Sequence, residues 1–238
     1  MTLVQTTISA KENPMHKTML LACAAAMAVS GAAFAATKVE MTTSADHTRV
    51  MTHGGTPRYT PPLAHKAGIP VIYSNFATLY PKGLYNASNG ASISGPNTIF
   101  GQIWIATAFT PAASATVREV DIAARFINGS KNRFLVGIYA DASGIPGTLL
   151  WSRKTAFPTN FGDCCAVVTL PDKDAFKVTA GTQYWLAVTT QPAASDAMAT
   201  WNLNVLDQVV GGVNAQNRGS GWQPGSFMPD FAYGIYGK

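Results

Sequence analysis

Two cysteines stand side by side at Cys164-Cys165, the most reactive pair that the sequence places together. Consecutive α-carbons lie about 3.8 Å apart across a trans peptide, below the roughly 4.4–6.8 Å usual for a disulfide. A bond between such neighbours closes a tight ring that is strained and easily reduced. In an oxidising compartment, with Cys23 removed in a leader, each has only the other as a partner within its chain. One reading is a vicinal disulfide acting as a rigid, apolar sulfur knob beside a ligand, near Trp151, Phe157 and Phe161. The others are a ring that merely fixes a loop, and two buried thiols on opposite faces of a strand.

Aromatic residues beside amides form the second constellation. Sugar rings stack their C–H faces on exposed aromatics while Asn, Gln and Asp hold the hydroxyls. Trp201-Asn202-Leu203-Asn204 and Gly221-Trp222-Gln223 have that mix. Trp104 and Trp185 sit in apolar runs and read as core, as large aromatics commonly do. Trp222 is flanked by Arg218-Gly219-Ser220-Gly221 and Pro224-Gly225, and it is the tryptophan expected at the surface. The candidate ligand contacts are therefore Trp222, Trp201, Asn202 and Asn204, with the Cys164-Cys165 loop.

Catalytic patterns are missing. Acid–base glycosidases need two facing carboxylates, yet nothing pairs the scattered aspartates, and Glu119 is the only Glu after residue 69. His47, His53 and His65 all precede the expected domain, which removes a Ser-His-Asp or Cys-His arrangement unless that region folds back. No Gly-x-Ser-x-Gly, His-Glu-x-x-His or phosphate loop occurs. No catalytic residue is assigned. Asp172-Lys173-Asp174 could offer oxygens to calcium, or could be a solvated turn. The irregular histidine spacing does not suggest zinc, and no cofactor is expected.

The elements that would position these residues are short strands. Val120, Ile122, Ala124 and Phe126 alternate with Glu119, Asp121, Ala123 and Arg125, the pattern of a half-wet strand. Phe134, Val136, Ile138 and Ala140 follow in a strand buried on both faces. Between the two, Asn128-Gly129-Ser130-Lys131-Asn132 reads as a hairpin turn. Further strands are expected at 70–76, 103–109, 148–152, 164–170, 176–178, 183–189, 200–205, 208–213 and 227–236. No amphipathic helix of ten residues is visible. Many short strands with Gly, Pro and Asn punctuation predict an all-β fold: an antiparallel, jelly-roll-like β-sandwich in a single domain, with the closing strand able to lie beside the first.

The organisation along the chain is equally readable. His16-Lys17, an apolar run at 19–29 and Gly31-Ala32-Ala33-Phe34-Ala35 make a secretory signal with cleavage expected after Ala35. Residues 1–35 thus form an extension plus leader, with Met15 the natural start. The leader's apolar run is too short to span a bilayer, which takes about 20 residues. Leu20-Leu21-Ala22-Cys23 resembles a lipobox, but too little apolar sequence precedes it. Residues 36–69 are rich in Thr, Pro and Gly and read as a flexible or loosely docked arm, and 70–238 as the sandwich. Charge is thin, +5 over 238 residues, with no basic stripe of the kind that nucleic acid requires.

Ser74-Asn75-Phe76, Ala108-Phe109-Thr110-Pro111, Gly144-Ile145-Pro146-Gly147-Thr148-Leu149-Leu150, Phe161-Gly162-Asp163-Cys164-Cys165, Ala180-Gly181-Thr182-Gln183-Tyr184-Trp185-Leu186 and Trp201-Asn202-Leu203-Asn204 occur in that order. Together they resemble the choice-of-anchor R domain family of bacterial exported proteins, over about residues 71–237. The resemblance implies an exported β domain, secreted, periplasmic or at the cell surface, often held by a C-terminal sorting signal, and it brings no established activity. Gly234-Ile235-Tyr236-Gly237-Lys238 lacks that signal's hydrophobic tail, so free release is expected. The leading functional expectation is a non-catalytic exoprotein that binds a glycan or another envelope or matrix component. A self-assembling structural surface protein is the alternative, and a hydrolase the third reading.

Overall fold

The computed structural model describes residues 39–45, 50–54, 58–59, 68–76, 84–159, 161–164, 167–204, 213–225 and 230–238. The leader expected at 1–35, Cys165, His47 and His65 lie outside the described residues. The strands run β1 (Val39–Thr43), β2 (Val50–Gly54), β3 (Arg58–Tyr59), β4 (Val71–Ser74), β5 (Asn86–Ser94) and β6 (Trp104–Phe109). There follow β7 (Ala115–Ile122), β8 (Ala124–Asn128), β9 (Phe134–Asp141), β10 (Pro146–Thr155), β11 (Asp163–Cys164) and β12 (Val168–Pro171). Last come β13 (Lys177–Val178), β14 (Tyr184–Thr190), β15 (Met198–Leu203), β16 (Asn214–Asn217), β17 (Trp222–Pro224) and β18 (Tyr233–Gly237). The fold is all-β, and antiparallel sheets pack as a sandwich.

One layer is a six-stranded sheet in the order β10-β9-β14-β6-β16-β17. The other joins β1-β2-β5-β15-β8 to β12-β7-β18-β4, with β13 also on β7. The join is Ala123, the single residue between β7 and β8. Its N–H donates to Ala232 O (3.1 Å) and its carbonyl accepts from Asn202 N–H (2.8 Å). β11 and β3 form a small parallel pair. Between the layers, Ile93, Ile105, Val120, Ile122, Phe134, Val136, Ile138, Leu186, Val188 and Trp201 make the main core, each with no more than 1% of its surface exposed. Burying side chains of this size is worth about 1.5–3 kcal/mol each. The closing strand β18 pairs with β4, the opening strand of the expected domain: Gly234 faces Ser74 and Ile235 faces Tyr73.

Three sequence expectations change. The segments around Asn128-Gly129 do not form a hairpin: β8 pairs with β15, while β9 pairs with β10 and β14. The turn is an arch that carries the chain from one layer to the other. It is pinned by Ser130, whose N–H and hydroxyl both donate to Asp196 at 2.8 and 3.0 Å. Secondly, the strand through Val120 is not half-wet. Asp121, Ala123 and Arg125 are all buried, because a second apolar cluster of Tyr85, Ala87, Ala123 and Ala232 covers that face. Thirdly, within the region read as an arm, β1 and β2 form a hairpin whose β2 pairs with β5. His53 helps to tie it down. Its Nδ1 hydrogen-bonds Asn89 Oδ1 (2.5 Å) and its Nε2 hydrogen-bonds the Thr42 hydroxyl (2.9 Å).

Candidate functional site: the outer face of the six-stranded sheet

Strand alternation splits β14 between two environments. Tyr184, Leu186 and Val188 enter the main core, whereas Trp185 and Ala187 point to the sheet's outer face. Register builds that face strand by strand. Trp185 lies between Tyr139 on β9 and Ala108 on β6, and Ala187 lies between Gly137 and Ala106. Ala106 faces Ala215 on β16, which faces Pro224 on β17. The row Gly137-Ala187-Ala106-Ala215-Pro224 is therefore a floor of small side chains running across five strands.

Aromatic rings stand over this floor. Trp222 on β17 and Tyr139 on β9 are half-buried and meet edge-on, with ring centroids 6.0 Å apart and planes at 71°. They pack against Trp185, Ala106, Ala187 and Ala215, none of which is exposed. At one end Asp141 accepts from Trp185 Nε1–H and Gln183 Nε2–H, both at 2.8 Å, and from Gly144 N–H. These bonds, the Trp185 one first, hold the Asp141 carboxyl below its usual range. At the other end Gln102 Nε2–H donates to Asn217 Oδ1 at 2.9 Å, and Asn217 is the cross-strand neighbour of both Trp104 and Trp222. Burial raises the Tyr139 phenol's pKa above its ordinary value. An aromatic wall with a carboxylate and amides at its margins can stack on the C–H face of a sugar and bond its hydroxyls.

Of the sequence candidates, the structure brings only Trp222 to this face. Trp201 is wholly buried between the layers, stacked on Phe231 at 4.9 Å, with its indole N–H donating to Ala232 O. It presents no face to a ligand. Asn202 and Asn204 are buried on the opposite side of β15 from that core. The backbone of Cys164 lies in β11 opposite Tyr59. Trp185 is buried as expected, although in the outer cluster rather than between the layers. Tyr139, Asp141, Gln183 and Gln102 were not legible as site residues, since nothing local in sequence connects them to Trp222.

The calcium reading of Asp172 and Asp174 gives way to a different arrangement. Asp172, whose side chain has no exposed surface, accepts from Trp151 Nε1–H (3.0 Å) and Arg153 Nη2–H (2.9 Å). It also accepts from the backbone N–H groups of Asp174 and Phe176. Arg153 bonds Asp174 too and lies over the Trp151 ring, 5.1 Å from its centroid. The guanidinium supplies the positive charge a metal would bring. Beside it is a shallow, open cleft of about 360 Å³ lined by Leu149, Leu150, Arg153, Asp174 and Phe176.

A scan against protein-family models finds no match to the chain, and a search of curated proteins finds none. Among solved structures, the chain is similar to a surface-layer-associated protein of Clostridium difficile, solved as its cysteine protease and lectin-like domains. The identity is 10% and the TM-score 0.38, over 56% of this chain and 31% of that one. No helix among the described residues is long and apolar enough to cross a membrane.

Proposed function

We propose that this chain is an exported, non-catalytic bacterial β-sandwich protein, of the choice-of-anchor R kind, that binds a glycan on the outer face of its six-stranded sheet. The observation that carries the reading is the Tyr139–Trp222 ring pair standing half-open over a floor of glycine, alanine and proline, with Asp141, Gln183 and Gln102 around it. The experiment is a glycan array run with the native protein, Trp222→Ala and Tyr139→Ala. Binding to a restricted set of sugars that both variants lose supports the reading. A flat response across the array overturns it.

A second reading is self-assembly, favoured by Leu149 and Leu150. They are 43% and 42% exposed on β10, which lies at the edge of the six-stranded sheet. Exposed apolar edges invite strand pairing between copies. Concentration-dependent light scattering that Leu149→Lys abolishes would support it, and a monomer at every concentration would count against it.

A further inference from the structure

A lane of apolar side chains runs across five strands on the outer face of the six-stranded sheet, with oxygen acceptors alongside it. Register sets it out. Leu149 on β10 faces Tyr139 on β9, Tyr139 faces Trp185 on β14, and Trp185 faces Ala108 on β6. Asn214 faces Thr107, so Val213, just ahead of β16, faces Ala108, whose N–H donates to Val213 O at 2.9 Å. Opposed residues of antiparallel strands share a face of the sheet. Both ends of the lane are open, with Leu149 43% and Val213 48% exposed, while Trp185 beneath its middle is wholly buried. Gly137 lets Leu149 and Tyr139 close up into one surface. A Cβ on it would stand 2.8 Å from Leu149 Cδ1 and 3.0 Å from Tyr139 Cε2, in space that those two side chains occupy.

Alternation places Asp141, two residues beyond Tyr139, and Gln183, two before Trp185, on the same face beside the lane. Their chemistry is one-sided. Asp141 Oδ1 accepts from Trp185 Nε1–H and Gln183 Nε2–H, both at 2.8 Å, whereas Oδ2 takes a long bond, 3.3 Å, from Gly144 N–H. An ionised carboxylate can only accept, and Gln183, with its Nε2 committed to that carboxylate, offers Oε1. The partners of Asp141 are neutral groups, so no cation offsets its charge at this margin.

A ligand on the lane must therefore bring an apolar face beneath, hydrogen-bond donors along one edge, and no negative charge. Sugar rings supply the C–H face and the hydroxyls. Uronic acids, sialic acids and phosphorylated sugars fail on charge, since like charges brought together oppose binding. Size narrows the class further. The two open ends lie four inter-strand steps apart, about 19 Å on a flat sheet, and one sugar ring is about as wide as a single step. Covering the lane takes a chain. Resting on the glycan reading of this face, we propose that its ligand is a neutral, extended chain of several sugars that crosses the strands from Leu149 to Val213, with hydroxyls donating to Asp141 and Gln183. Asp141 then both orients the chain and turns acidic glycans away.

Titration calorimetry of the whole protein tests it. The neutral probes are oligosaccharides of glucose, mannose and N-acetylglucosamine, from disaccharide to hexasaccharide, joined by any neutral hit from the glycan array. Oligogalacturonides are the acidic set and chitosan oligomers the cationic one. At least one neutral series is expected to bind, with affinity rising about 10-fold or more from disaccharide to hexasaccharide as the chain covers more of the lane. Oligogalacturonides are expected not to bind. Asp141→Asn is expected to weaken the neutral chain about 10-fold and to admit the acidic one. Val213→Ser is expected to weaken the hexasaccharide about 5-fold and the disaccharide less. Acidic chains binding in preference to neutral ones would overturn the proposal and leave the glycan reading standing. So would a preference for chitosan, equal affinity for disaccharide and hexasaccharide, or neutral binding that both variants leave intact. No binding to any chain, together with a flat array, would end both readings. A concentration-dependent dimer that Val213→Ser abolishes would give the lane to a second copy and overturn the proposal as well.

Discussion

Tyr139 and Trp222 touch edge-on although three strands, β14, β6 and β16, separate the strands that carry them. On a flat sheet four inter-strand steps amount to about 19 Å. The two rings therefore lean toward each other across the face, and the small residues beneath leave room for them to do so. A double-mutant cycle of Tyr139→Ala and Trp222→Ala should show a coupling of about 0.5–1.5 kcal/mol in urea unfolding. Trp201→Ala should behave quite differently, costing about 3–5 kcal/mol because it empties the middle of the core. If the two tryptophans proved equally costly, Trp222 would belong to the core and not to an open face.

Removing Arg153 tests the cluster around Asp172. Arg153→Ala strips a charged hydrogen bond from a carboxylate with no exposed surface, and a loss of about 1.5–3 kcal/mol is expected. Asp174→Ala should cost less than about 1 kcal/mol, since Asp174 is 70% exposed and its pairing with Arg153 is screened. Raising salt should weaken the second interaction and spare the first.

Asp141 gives a prediction about pH. Its folded pKa is depressed, so its contribution to stability is fully present above the unfolded carboxylate value of about 4 and is lost as pH falls through the folded value. Native protein should therefore lose stability below about pH 4 more steeply than Asp141→Asn, and the two curves should converge in acid. Asp141 is solvent-exposed, so the difference is expected to be small. Parallel curves would show that the bonds to Trp185 and Gln183 do not favour the ionised form.

Gly90 predicts a failure of pairing. A Cβ there would collide with Thr200 Oγ1 and with the carbonyl of Trp201, whose O lies 2.5 Å from the ideal position. Gly90→Ala should cost at least about 1–3 kcal/mol, as overpacking commonly does. It should also raise hydrogen exchange along β5 and β15 more than along β14.

That same glycine explains why part of the fold was hidden in the sequence. β5, Asn-Ala-Ser-Asn-Gly-Ala-Ser-Ile-Ser, reads as turn because small polar residues have poor strand propensity. The strand nonetheless lies in the middle of its sheet, because the strands on either side close in on it: Thr200 of β15 packs over Gly90, and Thr52 of β2 hydrogen-bonds Ser92 at 2.6 Å. β14 was legible for the opposite reason, since seven consecutive buried positions carry a run of aromatic, aliphatic and β-branched residues with no charge. The Asn128-Gly129 turn shows the limit of local reading. Its backbone need, φ +126° at Gly129, is written in the sequence, but whether it closes a hairpin or an arch depends on β14 and β15, about sixty residues away. The candidate face was hidden likewise, because Tyr139, Trp185 and Trp222 become neighbours only through registers spanning five strands.

The position of β18 has a consequence for how the chain reaches its native state. It lies inside its sheet, between β7 and β4, so residues 71–74 and 115–122 keep raw edges until residues 233–237 arrive. Closing such long loops is slow, and an open edge is a template for wrong partners. A chain delivered from its N-terminal end therefore stays vulnerable until nearly all of it has emerged. Holding factors or dilute conditions during refolding should improve the yield of correctly closed molecules.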